Sequence, residues 1–145
     1  NSVASNTGNY SVASNTGDKS VASNTGDKSV VSNTGNYSVA SNTGNYSVAS
    51  NTGDESVASN TGNYSVASNL GQKSISSCLG VKGQASGKKG TWLVVAEWIQ
   101  DKDWNWEVKE VKTVKVDGEK IKEDTYYALE NGEFVEKGSA SDDND

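Results

Sequence analysis

From Val3 to Ile75 a large apolar residue recurs at every ninth position. The unit is Ser-Val-Ala-Ser-Asn-Thr-Gly plus two variable residues, and it runs head to tail over residues 2–73, with a degenerate ninth copy at 74–82. Numbered from its Ser, slot two holds Val3, Val12, Val21, Val30, Val39, Val48, Val57, Val66 and then Ile75. Such a short unit has room for one strand and one turn. Self-similarity at a fixed short period predicts a solenoid, in which units bury themselves only against their neighbours. Burying a Val contributes about 1.5–3 kcal/mol, more than any other slot offers, so the slot-two row from Val12 to Ile75 is the expected core. Strand alternation then sends the Ser of slot one and the Ala of slot three outward. Val31, which replaces Ala in one slot three, fits such an outward place.

Gly fills slot seven in all nine copies, beside Asn and Asn/Asp, and reads as a turn residue with positive φ. Stacked coils place identical side chains about 4.8 Å apart, which suits a ladder of stacked amides from the slot-five Asn. Two units per coil make a flat roll of two facing parallel sheets; three make a triangular prism. One Val per unit fills a thin interior better than a wide one, so the expectation is the roll, with about 18 residues per coil. A 27-residue spacing would instead stack Tyr10, Tyr37 and Tyr64.

The pattern changes after residue 82. Leu70 and Leu79 replace Thr, and Cys78 replaces Asn, as though something covers the last two units. Residues 83–90 read as a connector and residues 91–137 as an antiparallel β-meander that caps the array. In it Trp92, Val94, Ala96 and Trp98 share one strand face, with Trp92 and Trp98 expected in the core. Asp101-Lys102-Asp103, Asp117-Gly118 and Asn131-Gly132 mark hairpin turns. Residues 138–145 read as a disordered acidic tail. The predicted class is therefore all-β: a parallel β-solenoid over residues 1–82, closed by a small antiparallel module.

Composition narrows the chemistry. The chain has no His and no Arg, which removes the usual general base and the guanidinium fork that reads phosphate. Four acids balance four lysines through Lys82, so the whole net charge of −6 lies in residues 83–145. A net acidic chain without basic clusters is not expected to bind nucleic acid. No apolar run reaches the length of a membrane helix, so no membrane insertion is expected. The first residue falls in the last slot of a preceding unit, so the chain reads as starting within a repeat.

The Ser-Val-Ala-Ser-Asn-Thr-Gly units, with Trp92-Leu93-Val94-Val95-Ala96-Glu97-Trp98 and Asn131-Gly132-Glu133-Phe134-Val135 in the terminal module, resemble nonapeptide-repeat proteins of bacteriophages and prophages of Firmicutes. The Ser-Val-Ala core with its Gly is also similar to the head repeats of trimeric autotransporter adhesins. The first resemblance implies a phage or prophage context and no particular activity, and a virion or extracellular location is expected, with the host cytoplasm as the alternative. The nine-residue period looks like that of calcium-binding repeat rolls, but slot eight is Asp only at Asp18, Asp27 and Asp54, too few carboxylates for calcium cages. No metal or cofactor is expected.

Candidate sites are few. Glu97, Asp101 and Asp103 could be drawn as a glycosidase pair, but carboxylates at a hairpin turn are usually only solvated. Cys78 has no His to activate it. The candidate contact surface is the varying ninth slot, at Tyr10, Lys28, Tyr37, Tyr46 and Tyr64, together with Trp104 and Trp106 past the acidic turn. The expectation is a non-enzymatic spacer or fibre presenting a binding surface to a protein or glycan partner. A homo-oligomer is expected too, by lateral packing of flat Ser/Ala stripes or by end-to-end stacking of coils. A compact phage-encoded effector binding a host protein, and an ice- or glycan-binding solenoid, are the alternatives.

Overall fold

The computed structural model describes residues 1–139. Each of the nine repeats supplies one four-residue strand: β1 (Val3–Asn6), β2 (Val12–Asn15), β3 (Val21–Asn24), β4 (Val30–Asn33), β5 (Val39–Asn42), β6 (Val48–Asn51), β7 (Val57–Asn60), β8 (Val66–Asn69) and β9 (Ile75–Cys78). Every strand pairs in parallel with the one two units away, so Val3 lies beside Val21 and Val21 beside Val39. Odd strands build one sheet and even strands the other. The chain is thus a β-solenoid with two units, 18 residues, per coil, and the 27-residue register is excluded.

The faces are the reverse of the sequence expectation. Ala13, Ala22, Ala40, Ala49, Ala58 and Ala67 are buried between the sheets, with Val31 in the same column. The slot-two residues assigned to the core point outward instead. Val12 is 63% exposed, Val21, Val30 and Ile75 are exposed, and Val39, Val48, Val57 and Val66 are half-buried. The reason is the thinness of the roll. Slots one, three and five share a face, and the facing sheets leave room there for methyl groups and for polar side chains bonded to backbone. Val serves outside, where β-branching suits a strand. The outward stripes are therefore Val, Ser and Thr, so a lateral contact through Ala has no Ala to use.

Hydrogen bonds replace apolar bulk in this interior. The Ser2 amide donates to Ser20 Oγ at 3.1 Å, Ser20 to Ser38 Oγ at 3.1 Å, and so on to Ser74. Asn in slot five makes no amide stack. Asn42 Nδ2 donates to the carbonyls of Val48 and Ser29, both at 3.2 Å, and so ties one sheet to the other. In slot eight, Asn9 Oδ1 accepts from the Asp27 amide at 2.8 Å, and Asp27 Oδ1 from that of Asn45 at 2.8 Å. Asn and Asp alternate freely there because both carry the oxygen the ladder needs.

Two backbone demands are met by different slots. Positive φ falls on slot nine, at 54–58° in all nine units, and not on the slot-seven Gly. Gly is required for closeness. A Cβ on Gly26 would overlap the carbonyl of Gly8, and the same holds for each later slot-seven Gly against the one a coil before.

Residues 83–90 are no mere connector. They contain β10 (Gln84–Ser86), which pairs in parallel with β8 and buries Ala85 in slot three, so they form a tenth unit with a polar slot two. The cap is also not one meander. β11 (Trp92–Gln100) runs parallel to β9 and antiparallel to β12 (Trp106–Lys115), extending one sheet. β13 (Thr125–Glu130) runs antiparallel to β10 and to β14 (Glu133–Ser139), extending the other.

Leu93, Val95, Val116, Ile121, Tyr127 and Leu129 pack with Ala85 to close the end. Trp92 is exposed and Trp98 half-buried, contrary to their expected core places, because Leu93 and Val95 take the inward positions. Asp117-Gly118 is not a hairpin turn, since β12 and β13 lie in different sheets. Asp117 Oδ1 instead accepts the amides of Glu119 and Ile121 and so holds the crossing loop. Cys78 is buried and Leu79 half-buried, as a cover requires, but Leu70 is exposed. The last strand runs to Ser139, so Gly138 and Ser139 belong to β14; the rest of the expected acidic tail, 140–145, lies outside the described residues.

Candidate functional site

The 18-residue coil sorts the ninth slot onto two edges of the roll. One edge carries Tyr10, Lys28, Tyr46, Tyr64 and Lys82; the other carries Lys19, Tyr37, Glu55 and Lys73. Of the five slot-nine residues expected to form a contact surface, four therefore share an edge, while Tyr37 lies on the opposite one. Their amides serve the fold: Tyr10 N donates to the Asp27 carbonyl at 2.9 Å, and Tyr46 N to that of Asn63 at 2.8 Å. Their side chains face solvent. Tyr10 is 74% exposed, with Lys28 Nζ 3.2 Å from its hydroxyl and 5.4 Å from its ring centroid. Tyr46 and Tyr64 stack with centroids 5.1 Å apart and planes within 6°.

The first edge ends at the cap. A bulge between Glu97 and Trp98 breaks the alternation of β11, a device that re-aims side chains. Trp98 Nε1 donates to the Leu79 carbonyl at 2.9 Å, which fixes that indole over the last repeat. Between the two cap hairpins, above the turn at Lys82, lies a cleft of about 280 Å³ walled by Trp98 and Trp106, with Lys82 and Gln84 on its solenoid side. Trp106 thus joins the end of the Tyr/Lys edge. Trp104, 78% exposed at the hairpin tip, is not among the residues lining the cleft.

The acids have structural tasks. Glu97 accepts the amides of Asn131 and Gly132 at 2.7 and 3.0 Å, with Lys109 Nζ 3.8 Å away. The Asn131 amide, with Gly132 and Lys109, holds its carboxyl below the usual range. Asp101 accepts the amides of Asn105 and Asp103, which lower its pKa in the same way. Neither is arranged as half of a glycosidase pair. The Cys78 thiol donates to the Ser65 carbonyl at 3.1 Å, and burial pushes its pKa up to about 12, so it takes the place of an Asn. Among the described residues no group of three or more His, Cys, Asp or Glu is placed to hold a metal ion.

Sequence reasoning missed the cleft, whose floor and walls come from residues far apart in the chain. It had one usable signal: Lys82 ends the slot-nine series shortly before the cluster of Trp92, Trp98, Trp104 and Trp106. No protein-family model, curated protein or solved structure matches the chain.

Proposed function

We propose that the chain is a non-enzymatic scaffold, a stiff spacer that presents its edges and its cap to a binding partner. Slot nine carries this reading. Left-handed backbone costs a residue with a Cβ about 1–2 kcal/mol, and only Gly, Asn and Asp visit it readily. Yet all nine copies place Tyr, Lys or Glu there. A side chain kept repeatedly at a conformational cost, and facing solvent, fits selection for what it touches outside the fold. The stiffness rests on the Ser and slot-eight ladders, which tie each coil to the next, and on the Asn amides, which tie the two sheets together.

Tyr37→Asn tests the reading, because Tyr37 has no ring partner among the described residues. Asn suits positive φ, so thermal denaturation should show a stability equal to the parent's or up to about 1 kcal/mol higher. A clear loss of stability would mean that the ring serves the fold, and the argument from slot nine would fail.

A further inference from the structure

We infer that the cleft between the cap hairpins is a binding site for an acidic sugar residue, one or two rings of a glycan that carries a carboxylate. Its volume of about 280 Å³ suits a ligand of that size. Its walls are two indoles that the apolar core of the cap does not include, Trp98 and Trp106. Trp98 is held by its bond to the Leu79 carbonyl, so it is a preformed plate. Flat aromatic faces with an apolar body take up the C–H face of a pyranose, and polar groups at the margin then fix its hydroxyls.

Charge selects among sugars. Four of the residues that line the cleft are ionisable: Lys82, Glu97, Glu130 and Lys137. Glu97 is engaged by two backbone amides and Lys109, and Glu130 pairs with Lys137 at 2.5 Å. Lys82 has no ion pair or side-chain hydrogen bond among the described residues, and neither does the side-chain amide of Gln84. The site therefore offers one free ammonium, one free amide and two aromatic plates. An ammonium without a counter-ion beside an aromatic wall favours a carboxylate on the ligand. Lys82 also ends the Tyr/Lys edge, so a glycan longer than the cleft has a continuation over Tyr64 and its hydroxyl.

This goes beyond the scaffold reading and stands without it: Tyr37→Asn probes slot nine on the opposite edge and leaves the cleft untouched. The test is titration of the full chain, followed by tryptophan emission, with trigalacturonate and a hyaluronan tetrasaccharide as uronates and with sialyllactose as a sialoside. Lactose and chitotriose serve as neutral controls, and a proline-rich peptide as the rival occupant of an aromatic groove. At least one acidic glycan should bind about tenfold or more tightly than the neutral ones. Trp106→Ala and Lys82→Gln should each weaken it by about tenfold, typical of an aromatic or charged anchor, with melting temperatures unchanged. Uronate and sialoside arms then separate the two sources of carboxylate. The inference is overturned if no acidic glycan binds, if neutral glycans bind equally, if only the peptide does, or if Trp106→Ala leaves binding intact.

Discussion

The solenoid and the cap cover the same pair of sheets with opposite materials. Between the repeats lie Ala methyls, Ser hydroxyls and Asn amides, and the coils are tied by side-chain ladders of identical bonds. In the cap the space is filled by Leu93, Val95, Tyr127 and Leu129, and side chains hold individual loops, as Glu97 holds Asn131 and Gly132. A buried Ala contributes little transfer energy, about 0.8 kcal/mol per carbon, whereas each satisfied hydrogen bond adds about 1 kcal/mol net. Repetition lets many small bonds hold the solenoid, while the cap, without repeats, depends on a few large side chains.

The largest effect should come from breaking the thin interior. Ala40→Asp places an unpaired charge where exposure is 0% and should cost about 3–5 kcal/mol, enough to unfold the array. Val39→Asp, one residue away but outward, should cost about 1 kcal/mol or less. Similar denaturation midpoints for the two would reverse the assignment of faces. Next in size is Gly44→Ala, whose Cβ would meet the Gly26 backbone and push two coils apart, at about 2–3 kcal/mol. The cap glycine Gly132 has φ 79°, and a Cβ there would make only ordinary contacts, 3.5 Å from Glu110 Oε2 and 3.8 Å from Lys112 Nζ, so Gly132→Ala should cost only about 1 kcal/mol, from backbone strain. Urea titration of both variants distinguishes closeness from conformation.

Acid should separate the regions more gently. Backbone amides hold Glu97, Asp101 and Asp117 below their usual pKa values. A carboxyl whose folded pKa is depressed contributes stability that is complete above its unfolded pKa, about 4, and is lost as pH falls through the folded value. In the solenoid, four of the seven slot-eight acceptors are Asn amides, at Asn9, Asn36, Asn45 and Asn63, which do not titrate. All four Trp lie in the cap. On acidification below pH about 4, Trp emission should therefore change before the far-ultraviolet signal of the repeats does. Simultaneous loss of both signals would show that the two regions unfold as one.

Period and coil number were legible in the sequence because they follow from spacing and from how little apolar volume each unit owns. The direction of the faces was not, because alternation has two phases and a ranking by apolar size chose the wrong one. A countersign was present: Gln84 and Ala85 continue the repeat only if slot three, not slot two, is the inward place. The same error hid the tenth unit in what read as a connector. Slot eight held a second clue, since Asn and Asp differ in charge but share their shape and one acceptor oxygen. The cleft offered no comparable pattern, because hairpins from two sheets build it around the turn that joins the last two units, Val81 to Gln84.

The smallest effect should follow the loss of one whole repeat. Both sheets are built from the same unit, and unit k stacks on unit k−2, so removing nine residues exchanges the sheets upstream of the cut while every slot keeps the same kind of stacking partner. Only the slot-five Asn differs between the sheets, donating to two carbonyls at Asn42 and to one at Asn51. The permitted step in length is then one unit, not one coil. Deleting residues 47–55 should leave a folded roll whose melting temperature falls by only a few degrees, the share of one unit in a nearest-neighbour array. The edges, however, exchange members. Tyr46 moves to the edge that ends at Lys73, and Tyr37 takes its place beside Tyr64, so a Tyr–Tyr stack persists with a new partner. Deleting residues 47–64 removes a full coil and leaves every upstream residue on its original edge. If the nine-residue deletion unfolds while the 18-residue deletion melts like the parent, the sheets are not equivalent and the cap recognises one of them. Equal melting of both deletions would establish that the cap reads only the last coil and that the array can vary by single repeats.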